Sequence, residues 1–211
     1  MALQEALEKI QDEMAEEFSG EVLDAFGKDL NALIEKKIDQ KALKIGDQAP
    51  EIIVLDTDGQ TINLYDLLKH GAVIINFFRG NWCPFCMAEL ADYHQVIHQL
   101  NLSKQQFLFI SPQMEEYSAQ LKVEKKIDLT LIADQYNQIA RQFGLVFTLD
   151  ENIRDLYKKM GADLTIINGD DSFELPIPAT YVVAPSGKIT YAFVETNYMM
   201  RAEPRDIVSM L

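Results

Sequence analysis

Cysteine is nearly absent from this 211-residue chain: it has two, Cys83 and Cys86, three positions apart. So few exclude a framework of stapling disulfides and leave a pair that is either reactive or metal-binding. Histidine is equally sparse. His70, His94 and His98 supply no second ligand pair at finger-like spacing, so a zinc site is not expected, and the His94/His98 spacing on one helix reads as a solvated flank. No segment reaches the roughly 18 uninterrupted apolar residues of a membrane-spanning helix. Met1 to Ile10 carries Glu5, Glu8 and Lys9 and lacks the basic start and apolar centre of a secretory signal, so the expected location is the cytoplasm. Basic residues are few as well, 19 Lys and Arg against 33 Asp and Glu, a net charge of -14. That charge repels a phosphate backbone and an anionic membrane surface alike, and neither is expected as a partner.

What remains is a globular composition, 48% hydrophobic and 25% charged. The length suits one well-buried α/β domain with a piece left over, folding without a metal or cofactor. The left-over piece is residues 1–44. Leu3, Leu7, Ile10 and Met14 recur at helical spacing with acidic residues between them, and Val22, Leu23, Phe26, Leu30, Leu33, Ile34 and Ile38 continue the pattern past Gly20. This helical extension packs on its own domain or on a neighbouring chain; self-packing is the expectation and a homodimer through these helices the alternative.

Residues 45–211 read as one α/β domain. Gly46 to Pro50 is turn chemistry, Glu51 to Leu55 a strand, Asp56 to Gly59 a turn and Thr61 to Leu68 a short helix, so a hairpin stands at the entrance. Ala72 to Phe78 is an apolar run, as in a strand buried on both faces. Strands at Phe107–Ser111 and Leu129–Ile132 alternate with helices near Glu115–Lys125 and Gln135–Phe143, which implies a mostly parallel central sheet flanked by helices. Residues 147–175 break the rhythm and read as an insertion with one helix, Glu151 to Met160. Thr180 to Val194 forms a closing antiparallel hairpin, and a short helix follows Pro204.

The chemistry sits in Arg79-Gly80-Asn81-Trp82-Cys83-Pro84-Phe85-Cys86, where a buried strand passes through a glycine loop into a helix. A helix start offers free N–H groups and partial positive charge, which favour a thiolate, and Pro84 suits the first turn because it has no N–H to leave unpaired. A redox pair is therefore expected. By exposure alone Cys83, at the helix tip, is the better nucleophile.

From Gly46 through Ile74–Phe78, the Cys-Pro-Phe-Cys segment, Phe109-Ile110-Ser111-Pro112-Gln113 and Pro178-Ala179-Thr180-Tyr181-Val182-Val183, the chain resembles the peroxiredoxin-like branch of the alkyl hydroperoxide reductase and thiol-specific antioxidant (AhpC/TSA) family, over residues 42–208. The resemblance implies a thioredoxin-like fold and reduction of hydrogen peroxide or organic hydroperoxides through a cysteine sulfenic acid, with thioredoxin or a similar dithiol as reductant. Laid over Cys86-Met87-Ala88-Glu89-Leu90, the family's peroxidatic pattern puts Cys86 at the attacking position, Cys83 at its Thr and Arg79 at its Pro. On that overlay the expectation leans to Cys86 as the residue that meets peroxide, with Cys83 resolving; thioredoxin logic reverses the order. Trp82 and Phe85 would shape access. The Arg that the family holds just before the Thr of the strand is replaced here by Pro178, beside Thr180, and Ile177-Pro178 resembles the cis-proline of thioredoxins. Arg79 or Arg201 could supply the missing charge, Arg201 being equally readable as an ordinary surface residue. Two rival functions stand beside the peroxidase: a thiol-disulfide oxidoreductase acting on protein disulfides, and a redox-sensing protein whose helical arm responds to the pair.

Overall fold

The computed structural model describes residues 3–211; of the expected arm, Met1 and Ala2 lie outside the described residues. Helices α1 (Leu3–Glu17) and α2 (Gly20–Glu35) meet at Phe18 and Ser19. A hairpin follows, β1 (Ile53–Leu55) with β2 (Thr61–Asn63), then α3 (Leu64–Leu67). The segment expected as one helix from Thr61 thus opens as a strand. Ile62 turns inward and Thr61 to Asn63 pair with β1, after which the Asn63 side chain accepts from the N–H groups of Tyr65 and Asp66 and starts the helix there.

The central sheet is built from β3 (Val73–Phe77), β4 (Phe107–Ser111), β5 (Thr130–Ala133), β8 (Ala179–Val183) and β9 (Ile189–Val194), in the order β5-β4-β3-β8-β9. Strands β3, β4 and β5 run parallel, and β8 and β9 are antiparallel additions. Every residue of β3 is buried. Its side chains feed two cores, Ile74 on one face of the sheet and Val73, Ile75 and Phe77 on the other. The crossover from β3 to β4 is α4 (Pro84–Gln99), whose Phe85, Cys86, Leu90, Tyr93 and Ile97 pack on the same face as Ile74.

Helix α5 (Glu115–Lys125) precedes β5 as expected. The helix expected over Gln135–Phe143 is shorter: Tyr136 and Asn137 adopt left-handed backbone and leave a 3-10 turn before α6 (Gln138–Gln142). Within the insertion β6 (Val146–Thr148) pairs with β7 (Glu174–Pro176), and Phe147 lies opposite Leu175. This small ribbon ties the two ends together around α7 (Glu151–Lys159) and α8 (Leu164–Ile167). Helix α9 (Pro204–Val208) closes the chain with Pro204 in its first turn. No cis peptide bond occurs among the described residues. Ile177–Pro178 is therefore trans, correcting the likeness to a thioredoxin cis-proline; trans is the default for an X–Pro bond by about 0.5–1 kcal/mol, and the flanking backbone fits it, with Ile177 N–H donating to Leu145.

The arm packs on its own chain. Leu3 and Leu7 are fully buried in the core that holds the cysteines, with Ile10, Met14 and Leu30 against its edge. The return from the arm passes close to the end of α6, where Leu43 N–H donates to Phe143 and Gly144 has φ +71°. A Cβ on Gly144 would run into the Lys41 carbonyl. Gly144→Ala is expected to combine that clash with left-handed strain and cost about 2 kcal/mol or more, seen as a lower urea midpoint with an unchanged slope.

Candidate active site

Cys83 caps α4 from extended backbone, its carbonyl accepting from Met87 N–H, and Pro84 fills the first helical position. Both cysteines are free, Cys83 at 2% exposure and Cys86 fully buried. Cys83, Pro84 and Phe85 line a cavity of about 220 Å³ together with Arg79 and Trp82; Cys86 sits behind it and does not contribute to the wall. Gly80 (φ +149°) lets Trp82 fold back against the loop, since a Cβ there would strike the indole nitrogen. Gln113 receives the Asn81 N–H at 2.8 Å and Ser118 receives the Gln113 amide at 2.8 Å, which fixes the loop from the far side.

Two buried arginines flank the pair. Arg79 lies in an aromatic box, its guanidinium 4.7 Å from the Trp82 ring centroid, 5.5 Å from Tyr157 and 4.2 Å from Tyr198. It donates to the Tyr157 hydroxyl, and its Nε has no partner among the described residues. No carboxylate pairs with Arg79 among those residues. Arg201, by contrast, is ion-paired with Glu89 (Nε to Oε2, 2.7 Å), donates to the carbonyls of Tyr198 and Met200, and reaches Cys86 Sγ at 3.3 Å. The surface reading of Arg201 is thereby corrected: it is 7% exposed, because the turn before α9 folds its side chain in over α4. Glu89 in turn accepts from Asn76 at 2.8 Å, and Asn76 also donates to Thr180 Oγ1 at 3.0 Å.

These surroundings divide the two thiols. Burial pushes Cys83 up, but the Cys86 thiol that hydrogen-bonds it, Arg79, Arg201 and the Cys86 backbone N–H together bring it down to about 6. Burial pushes Cys86 up, and its hydrogen bond to Cys83 and the charge there push it further, well above the ordinary thiol range. The Arg201 contact taken alone favours charge on Cys86. That cation is shared with Glu89, however, whereas Arg79 makes no salt bridge among the described residues and its charge lowers Cys83 more than that of Arg201 does. One negative charge shared by the pair therefore resides on Cys83.

Sequence reasoning named Cys83, Cys86, Arg79, Trp82, Pro84 and Phe85, and the fold brings all of them together. Thr180 joins the Glu89 network rather than the cavity, and Pro178 is buried and lines neither. Tyr157 and Tyr198 were not foreseen; they come from α7 and from the turn after β9, and no local motif marks them.

A family model described as the AhpC/TSA family matches residues 45–192, more than half of the sequence. The chain belongs to the AhpC/TSA family. Among curated relatives, this AhpC/TSA protein is 27% identical to peroxiredoxin Bcp of Escherichia coli strain K12 over 103 residues, 49% of this chain and 65% of that protein. It thus spans just under two thirds of the length of the Escherichia coli peroxiredoxins it matches. It is also 26% identical to the thiol-disulfide oxidoreductase ResA of Bacillus subtilis over 172 residues, 82% of this chain and 78% of that one. Among solved structures, peroxidoxin BcpB from Mycobacterium tuberculosis superposes with a TM-score of 0.56 at 19% identity, covering 74% of this chain and 89% of that chain. That likeness shows the thioredoxin-like fold. Among the described residues no helix is long and apolar enough to cross a membrane.

Proposed function

We propose that this AhpC/TSA protein is a thiol-dependent peroxidase of the cytoplasm. The observation that carries the reading is the Cys83 sulfur placed at the start of α4 and at the wall of a cavity beside Arg79, a setting that brings its thiol down to about 6. At neutral pH the Cys83 thiolate attacks the distal oxygen of a hydroperoxide. The S–O bond forms as the O–O bond breaks, and the departing alkoxide or hydroxide takes a proton from water, leaving a sulfenic acid. Arg79 holds the thiolate and offers a cation to the oxygen on which charge develops. Cys86, still a thiol, then attacks the Cys83 sulfur; the disulfide forms and the sulfenic oxygen leaves as water with the Cys86 proton. A thioredoxin-type dithiol restores both thiols by exchange and is itself oxidised. This assigns attack to Cys83 and resolution to Cys86, the reverse of the family overlay, because the sealed position and raised pKa of Cys86 suit a resolving thiol.

A second reading, reduction of protein disulfides, is favoured by the Cys-Pro-Phe-Cys motif and the extended similarity to ResA. The 2% exposure of Cys83 suits a small substrate that enters the cavity, whereas exchange with any protein, a disulfide substrate or the reducing dithiol alike, needs the site to open. Stopped-flow mixing with hydrogen peroxide and with cumene hydroperoxide separates the two. The expected result is oxidation of the pair at least about a hundredfold faster than free cysteine at pH 7, with slow reduction of insulin disulfides. Peroxide rates no better than free cysteine, together with efficient insulin reduction, would transfer the assignment to the second reading.

A further inference from the structure

The cavity over Cys83 has two halves of different origin. Its floor comes from the loop and helix of the redox motif. Its opposite wall is the N-terminal arm, where Ile10, Met14 and Phe18 face inward with Phe26 of α2, and Met160 from the insertion completes the rim. The arm lies outside the family-matched residues 45–192, so this wall is not part of the matched family domain. It is anchored rather than loosely laid, with Leu3 and Leu7 buried about two turns and one turn before Ile10. The polar groups on the arm side, Glu13 and Glu17, are exposed and sit at the mouth.

We infer that the arm is the specificity element of the site, admitting an uncharged hydroperoxide whose apolar group is about the size of a benzene ring; this rests on the peroxidase reading. An apolar cavity of about 150 Å³ is enough to hold benzene, and this one measures about 220 Å³. Apolar side chains on both walls gain from covering an alkyl or aryl group, whereas hydrogen peroxide alone would give up hydrogen bonds to water without that return. A hydroperoxide carrying a carboxylate is disfavoured at the mouth by Glu17, and less by Glu13, which is paired with Lys9 at 3.4 Å. The one buried cation on the cavity wall, Arg79, is engaged with the Cys83 thiolate.

Trp82 is the only tryptophan and lines the cavity, so ligand binding has a direct reporter. Cumyl alcohol, the product of cumene hydroperoxide, is titrated against the reduced protein and compared with 4-isopropylbenzoate, of similar bulk but charged. A saturable change in Trp82 emission with the alcohol, at least about tenfold weaker with the benzoate, is expected. Met14→Glu, which puts a carboxylate into the arm wall, should weaken the alcohol about tenfold and lower the ratio of cumene hydroperoxide to hydrogen peroxide rates by a similar factor. A merely structural role for Met14 would lower both rates alike. Absence of saturable binding to the wild-type protein, or equal binding of alcohol and benzoate, overturns the inference, as does an unchanged rate ratio in Met14→Glu. Binding of the alcohol without any peroxide turnover would keep the selective pocket and remove the peroxidase reading instead.

Discussion

Replacing Arg79 by Met is expected to lower the rate of Cys83 oxidation at pH 7 by about tenfold or more and to move its pH midpoint from about 6 to the alkaline side of neutrality. Arg79 is the cation near the pair that makes no salt bridge among the described residues, although its charge reaches Asp29. Without it, burial dominates the Cys83 thiol and the thiolate fraction at pH 7 falls. The deficit should close as the pH is raised and the thiolate forms regardless. Alkylation by iodoacetamide across pH 5 to 9 reads the midpoint directly. A variant that is slower at every pH with an unmoved midpoint would mean that Arg79 acts on the peroxide rather than on the thiol. Unchanged rates would remove it from the site.

Arg201→Met should act chiefly on stability. It leaves Glu89 buried without its ion pair and two backbone carbonyls, of Tyr198 and Met200, without a donor. Breaking a buried pair from one side costs about 3 kcal/mol or more, which for a chain of this size lowers Tm by about 6–12 °C. The loss should depend on pH in a defined direction. Burial raises Glu89 from 4.5 to about 7, against the pull of Arg201 and Asn76. A carboxyl whose folded pKa is raised contributes stability that is full below its unfolded value and is lost as pH climbs through the folded one. Removing Arg201 takes away the main group that holds the charged form, so the variant should approach the wild type near pH 5 and fall furthest behind near pH 8. Thermal melts at these two pH values check it, and a pH-independent deficit would show that Glu89 stays protonated throughout.

The parts of the fold that could be read along the chain were those whose cause is local. Ala72 to Phe78 is apolar throughout because β3 is covered on both faces, and the phase from Cys86 through Leu90, Tyr93 and Ile97 is that of a helix with one side on the core. Phe147 and Leu175, the limits of the expected insertion, lie opposite each other in the β6–β7 ribbon. Where a partner decides, the reading failed. Thr61 to Asn63 becomes a strand because Ile53 to Leu55 lies beside it, and the helix expected from Gln135 is interrupted at Tyr136 and Asn137 by a left-handed turn that no Gly or Pro announces. The same division holds in the site. The cysteines and their helix start are a local motif. Arg201 is brought to Cys86 from 115 residues away, and Tyr157 to Arg79 from 78 away, so no spacing could have paired them.

The residue proposed to meet peroxide is Cys83, held as a thiolate by Arg79, with Cys86 as its resolving partner. Cys83→Ser and Cys86→Ser, each treated with one equivalent of hydroperoxide and trapped with dimedone, test it most directly by mass spectrometry of the labelled peptide. The expected result is a dimedone adduct on Cys83 in Cys86→Ser and none in Cys83→Ser. An adduct on Cys86 in Cys83→Ser, with Cys86→Ser unlabelled, would contradict it.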